Sequence, residues 1–467
     1  MSSGFVQRGR RRLARLLRGR PAPSRYDVDP LLPDLPKALD LRWVAKLFEQ
    51  GWPDGEGEYG HSVRVHHCEL LTARHWPGTS CVTTYLLQAE RAGQGDFSII
   101  GVVETTTEGC RLRLFSPDPE LPFLAAVLDD SAMLGRFVAL PEVTESLGSP
   151  ESLVITPVRY WPGSRCTLRY DLRAPAGSLT CYGKVLARVK PWMVPALDAL
   201  YEHSQCCPAM LRVPRLLAYW PELHMLVQQG MPGEPFQQRV FDPAASPSRC
   251  REWLRACGTG LAALQECQGL QAPVRTLSDE AAGMYKALPS LTALRPAWAE
   301  RAKAALGALQ KRAAAQVEPP PVASHGAFKI TKLLVAENGL ALIDLDTLCL
   351  ANAASDVASF LAHLDYMAMR RPRPFVPLKG TFGAPLEGTF RAPLPGRSIP
   401  LAEAKRTFLL GYQQGGGRVD EGWLRLYQAA ELLRQALHSA RNLGLCRSPQ
   451  ATERLLDKSA ALLGQSG

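Results

Sequence analysis

Apolar and polar positions alternate in short runs between residues 33 and 149. Residues 63–71, 81–88 and 97–105 read as strands separated by Gly-rich turns. Residues 160–172 and 179–187 repeat that pattern. From Pro191 the spacing becomes helical. Residues 192–204 form a first candidate, and residues 249–268 place Trp253, Leu254, Leu261, Ala262 and Leu264 on one face. Residues 297–315 are rich in Ala, Leu, Lys and Arg, which favours helix. Two short apolar runs, 333–336 and 340–343, flank Glu337-Asn338-Gly339, and Asn-Gly in that setting is a strong hairpin signal. Residues 371–398 are rich in Pro, Gly and Arg and read as a long loop. Helices return at 401–414 and at 422–443, the latter with a stripe of Tyr427, Leu432, Leu433 and Ala436. Two β units followed by helices with one hairpin define an α+β chain, and the absence of βαβ alternation disfavours a Rossmann sheet.

An internal repeat underlies the two β units. His75-Trp76-Pro77-Gly78-Thr79-Ser80-Cys81 and onward to Leu87 matches Tyr160-Trp161-Pro162-Gly163-Ser164-Arg165-Cys166 and onward to Leu172. Six of thirteen positions are identical at an offset of 85 residues. Each copy reads as a tight Pro-Gly turn feeding a strand, with a further strand behind it.

Composition changes this picture little. Of 467 residues, 46% are hydrophobic and 21% charged, as in globular proteins. No apolar run reaches the roughly eighteen residues of a membrane span, and no apolar signal core follows the first basic residues. The net charge of +10 is concentrated at the front: residues 1–25 hold eight arginines and no acid, leaving a nearly neutral body. That tail reads as a solvated segment, with binding to nucleic acid or anionic membrane as the alternative. The twelve cysteines form no CxxC pair and no Cys/His cluster of zinc spacing. Cys81, Cys166, Cys181 and Cys349 sit among apolar neighbours, so buried, reduced thiols in a cytoplasm are expected.

The chemistry is concentrated in His325-Gly326-Ala327-Phe328-Lys329-Ile330-Thr331-Lys332, followed by Ile343-Asp344-Leu345-Asp346 and Ser355-Asp356-Val357-Ala358. A loop before a hairpin, with a carboxylate just past its second strand, is the arrangement by which kinase-like enzymes hold a base and the metal on ATP. The stretch resembles the aminoglycoside phosphotransferase / choline kinase-like family, whose pattern is His-Gly-Asp-x-x-x-x-Asn, then Ile-Asp-x-Asp or Glu, then Asp-Leu-Ala. The resemblance runs over about 153–463. It implies a bilobal protein-kinase-like fold with a β-rich N-lobe at 150–230 and a helical C-lobe at 231–467. Residues 33–149 would be a small accessory β domain related to the N-lobe, and residues 1–32 a basic tail.

The resemblance also implies roles. Lys184, in Tyr182-Gly183-Lys184-Val185, would pair with ATP phosphates. Gln229 would lie in the hinge between lobes, and Asp344 would hold magnesium. Lys329 would contact the transferred phosphate. Asp346 would assist the metal or take over as base, His325 would brace the loop, and Asp356 would cap the following helix. Two positions depart from the family: Ala327 replaces the catalytic Asp, and Lys332 replaces the metal-binding Asn. A methyl group accepts no proton, and an ammonium repels a metal while partly standing in for its charge. In the first repeat copy the position matching Lys184 is Ile99 or Val102, so the accessory sheet is not expected to be a second ATP site.

Three readings follow. One is a degenerate phosphotransferase, a pseudokinase with residual ATP binding and a partner-binding or regulatory role. The second is an active atypical kinase with ATP and Mg, acting on a hydroxyl of a small molecule, sugar or modified peptide. The third is an adaptor working through the Arg-rich tail.

Overall fold

The computed structural model describes residues 29–51, 63–91, 95–242, 244–369, 399–441 and 449–464. The Arg-rich tail and the 371–398 segment lie outside the described residues. The chain divides into two compact units, one running to Arg113 and the other starting at Leu114.

In the first unit, helices α1 (Leu35–Ala38) and α2 (Leu41–Gln50) precede strands β1 (Val63–Trp76), β2 (Ser80–Arg91), β3 (Gly95–Thr106) and β4 (Gly109–Leu114), which form a sheet in that order. Tyr85 and Leu87 of β2 are fully buried, together with Leu35, Val44 and Phe48 of the helices.

The second unit begins with helices α3 (Leu124–Val127), α4 (Asp130–Val138) and α5 (Pro141–Leu147). The sequence pattern predicts one β-rich unit over residues 33–149. The structure shows helices in the last part of that span, within the second unit. Asp129 caps α4 by accepting from the Ala132 amide, and Pro141 opens α5 where its missing N–H costs nothing. Their apolar residues, Val127, Met133, Phe137 and Val143, are fully buried. These helices are too short for a long periodic signal.

Strands β5 (Ser152–Trp161), β6 (Arg165–Ala174), β7 (Gly177–Leu186), β8 (Leu216–Trp220) and β9 (Met225–Gln229) build a sheet ordered β5-β6-β7-β9-β8. Helix α6 (Met193–Cys206) lies between β7 and β8 in the chain. On β6, Cys166, Leu168, Tyr170 and Leu172 are all fully buried, the period of two that one covered sheet face requires. That face meets the helices: the Tyr170 hydroxyl donates to the Val127 carbonyl at 2.9 Å. Gly183 is demanded by this packing, because a Cβ there would lie 2.0 Å from Met225 and 2.7 Å from the Tyr170 ring.

The two units share one construction. Asp29 Oδ2 accepts from His75 Nε2 at 2.8 Å and from the Gly78 amide at 2.7 Å. Asp118 Oδ2 accepts from the Tyr160 hydroxyl at 2.6 Å and from the Gly163 amide at 2.9 Å. The Tyr85 hydroxyl donates to the Ala38 carbonyl as that of Tyr170 does to Val127. The parallel also shows in the sequence, where Asp29, Pro30, Leu32, Pro33, Leu35, Leu39 and Asp40 recur as Asp118, Pro119, Leu121, Pro122, Leu124, Leu128 and Asp129. Strand register corrects one expectation. Thr167 pairs with Lys184, and its counterpart Val82 pairs with Glu104, not with Ile99 or Val102. An exposed glutamate stands where the second sheet has its lysine.

The remainder is helical. Strand β10 (Glu234–Pro235) and helices α7 (Phe236–Val240) and α8 (Pro247–Gln265) follow the five-stranded sheet. Next come β11 (Val274–Arg275), α9 (Leu277–Tyr285), α10 (Leu288–Leu294) and α11 (Pro296–Ala314). Strand β12 (Val322–Ser324) leads into the 325–332 loop and the hairpin of β13 (Leu333–Ala336) and β14 (Gly339–Leu342), which pairs as the sequence predicts. Strand β15 (Cys349–Ala351) and helices α12 (Ala354–Met369), α13 (Leu401–Gln414), α14 (Glu421–Arg441) and α15 (Pro449–Leu462) complete the unit. A β-rich part followed by a mainly helical part is the α+β architecture expected from the sequence.

Candidate active site

Strand alternation selects the residues that the sheet offers to the helical part. With Cys166, Leu168 and Tyr170 turned to α3–α5, Arg165 and Thr167 occupy the other face of β6. Lys184, the register partner of Thr167, shares that face.

The opposing residues come from the 325–332 loop and the hairpin. His325 is fully buried. Its ring donates through Nε2 to the Ile343 carbonyl at 3.1 Å, and its own carbonyl accepts from the Thr347 hydroxyl at 2.8 Å. Burial pushes the imidazole down to about 4, so it is neutral at physiological pH. Gly326 adopts φ 73°, and a Cβ there would lie 2.2 Å from the Thr347 carbonyl oxygen. Phe328 anchors the loop in the core, with its ring 5.8 Å from that of Phe360, which stacks on Phe408 at 4.1 Å.

Asp356 ties these pieces together. It lies inside α12 and is fully buried, and its carboxylate accepts from the amides of His325 at 2.6 Å, Gly326 at 3.1 Å and Phe328 at 3.3 Å. Burial pushes this carboxyl up to about 6, against the three amides, which favour the charged form. The position of Asp356 before an apolar helical run predicts a helix cap. Instead, Asn352 caps the chain entering α12 by accepting from the Ala354 amide at 2.9 Å, and Asp356 organises the loop.

The hairpin carries Lys332 at its entry and Asp344 and Asp346 past its exit. Asp344 adopts a left-handed backbone, φ 64° and ψ 57°, which aspartate tolerates better than most side chains. Its Oδ1 accepts from Lys184 at 3.2 Å, and its Oδ2 pairs with Lys332. Asp346 Oδ1 accepts from Lys184 at 2.5 Å, and Oδ2 accepts from Arg165 at 3.1 Å. All four carboxylate oxygens are therefore engaged by cations. Burial alone would raise the Asp344 carboxyl, but the Lys184 and Lys332 ammoniums outweigh it and hold the group well below the usual range.

The structure thus gathers Lys184, Lys332, Asp344 and Asp346, with the half-buried methyl of Ala327 in the adjoining loop. Lys332 is drawn into this network. Lys329 turns elsewhere. Its ammonium lies 3.4 Å from Glu431 on α14, in a buried cluster where Glu431 also holds Arg434. Burial lowers Lys329 to about 8. Gln229 ends β9, exposed, with its amide donating to the Arg215 carbonyl. The chain from there reaches β10, which pairs with β13 of the hairpin sheet. Sequence reasoning passed over Arg165, although the shared parity of Arg165 and Thr167, with Thr167 beside Lys184, was available to find it.

Residues 183–393, which hold Lys184, the loop and both hairpin carboxylates, match the APH family model, described as the phosphotransferase enzyme family. The matched residues make up a little under half of the chain, and that stretch is similar to the phosphotransferase family. Solved structures similar to it include choline kinase from Cryptosporidium parvum Iowa II, at 11% identity over 72% of this chain and 96% of that one, TM-score 0.48. Another is the macrolide 2′-phosphotransferase of Brachybacterium faecium, at 17% identity over 74% and 100%, TM-score 0.40. A third is an amicoumacin kinase in complex with AMP-PNP, Ca2+ and Ami, at 12% identity over 73% and 95%, TM-score 0.47. No curated protein sequence matches the chain. Among the described residues no helix is long and apolar enough to cross a membrane.

Proposed function

We propose that this protein is a catalytically degenerate phosphotransferase, a pseudokinase that binds the phosphates of a nucleotide and acts through a partner. The observation that carries this reading is the closed network around Asp344 and Asp346. Phosphoryl transfer needs a carboxylate to orient the acceptor hydroxyl and carboxylates that hold the metal. The first position is Ala327, whose methyl does neither. Asp346, the other carboxylate within reach, has both oxygens on cations and none directed to an acceptor proton. What remains is a cluster of Arg165, Lys184 and Lys332, which suits phosphate oxygens. In this reading Gln229 lies at the nucleotide's base edge, Lys184 and Lys332 meet its phosphates, and Lys329 braces the helices.

The front sheet is part of the proposal. Sharing the Asp–Gly turn clamp and the buried tyrosine, it is a duplicated relative of the second unit's sheet that carries Glu104 in place of the lysine. A cytoplasmic location is proposed as well, resting on thiols that burial makes inert: Cys81, Cys181 and Cys349 are each pushed up to about 12.

The deciding experiment incubates the full chain with Mg-ATP and a panel of alcohol acceptors, beside Asp344→Ala. Equal, background-level turnover by both supports the reading. Phosphorylation of an acceptor by the wild type alone would instead establish an active atypical kinase.

A further inference from the structure

Magnesium enters phosphoryl-transfer sites through one or two carboxylates and the phosphates, keeping several of its waters. The residues here do not fit that ion. Asp344 gives Oδ1 to Lys184 and Oδ2 to Lys332, and Asp346 gives Oδ1 to Lys184 and Oδ2 to Arg165. Among the described residues, three cations face these two carboxylates and hold all four of their oxygens. Like charges a few ångströms apart repel, and a divalent ion feels twice the repulsion of a monovalent one. To reach Asp344 the ion must displace an ammonium. Nor is Lys332 a chance surface neighbour. Its carbonyl accepts from the Ile343 amide at 2.9 Å, so the backbone itself sets the lysine beside Asp344.

Resting on the phosphate-binding reading above, we propose that this site takes the polyphosphate of a nucleoside di- or triphosphate without a divalent metal. The Lys332 ammonium takes the position of the ion, between the Asp344 carboxylate and the phosphate oxygens. A lysine ammonium has three donors and no acceptor, so it can bridge a carboxylate on one side and a phosphate on the other. Arg165 adds a planar fork suited to phosphate, and Lys184 a second point charge. Together the three supply the positive charge that an ion would otherwise bring. A built-in monovalent cation neutralises the phosphates less than magnesium does, which accords with holding a nucleotide without transferring its phosphoryl group.

The test measures binding of a fluorescent ATP analogue to the full-length wild type, first in EDTA and then in excess Mg2+. Binding in EDTA that Mg2+ leaves unchanged or weakens is expected. Binding that appears only with Mg2+ overturns the proposal. Absence of binding in both conditions overturns it together with the phosphate-binding part of the reading above, while the loss of phosphoryl transfer is decided by the separate turnover measurement. Lys332→Asn should weaken metal-free binding by about tenfold or more and make affinity rise with Mg2+. A thermal-unfolding check on this variant and on Lys332→Gln separates loss of the ammonium from loss of the fold. Unchanged metal-free affinity in both folded variants counts against the role given to Lys332.

Discussion

Lys332 and Asp344 form an ion pair at the base of the β13–β14 hairpin. Lys332 supplies a charge that the Asp344 carboxylate accepts, and with Lys184 it closes off both oxygens of that carboxylate.

If that closure and the missing base both block chemistry, repairing one is not enough. Ala327→Asp alone should leave ATP turnover at background, whereas Ala327→Asp with Lys332→Asn should raise Mg-dependent ATP hydrolysis about tenfold or more, equivalent to about 1.4 kcal/mol in the barrier. Release of phosphate from ATP is the measurement. Full activity from the single change would show that the ion pair is no obstacle.

Asp356 is the loop's anchor, not a helix cap. Asp356→Asn keeps the shape but replaces one accepting oxygen by an amide group that can only donate, leaving a buried loop amide unmatched. A loss of about 1–3 kcal/mol in stability is expected, read by urea unfolding. A variant as stable as the wild type would mean that the three amides do not depend on the carboxylate.

Lys329 gives a pH signature. Its folded-state value of about 8 lies below the ordinary 10.5, so between those values the unfolded chain binds more protons. Its contribution is unfavourable below about pH 8 and is relieved as pH rises towards 10.5. Stability of the wild type relative to Lys329→Met should therefore increase between pH 8 and 10, and the comparison cancels other titrating groups. A difference that stays flat or falls would contradict the burial of this ammonium.

Asp29 and Asp118 should serve as equivalent clamps in their two units. Asp29→Ala and Asp118→Ala should each cost about 1–3 kcal/mol, and each should speed hydrogen exchange at its own turn amide, Gly78 or Gly163. Exchange that is unaffected at the matching glycine would remove the clamp from the account of either turn.

Much of this was legible in the chain. Asn338-Gly339 between apolar runs specified the hairpin because its turn chemistry is local. The order of motifs pointed to the phosphotransferase likeness that the family model shows over residues 183–393. The short helices of residues 124–147 escaped because three brief segments offer too few turns for periodicity to build up. They were still marked locally by the second Asp-Pro-x-Leu-Pro segment.

The sequence by itself determined that Ala327 and Lys332 stand where the pattern it resembles has Asp and Asn, since residue identity at a motif position is a one-dimensional fact. Only the tertiary structure decided which charges meet. Arg165 and Lys184 reach Asp344 and Asp346 across separations of roughly 160–180 positions, and Lys329 turns to Glu431 instead. Coulomb attraction acts over a few ångströms in space and is indifferent to chain distance. Such pairings exist only once strand alternation, loop anchoring by Asp356 and helix packing have fixed where each side chain points.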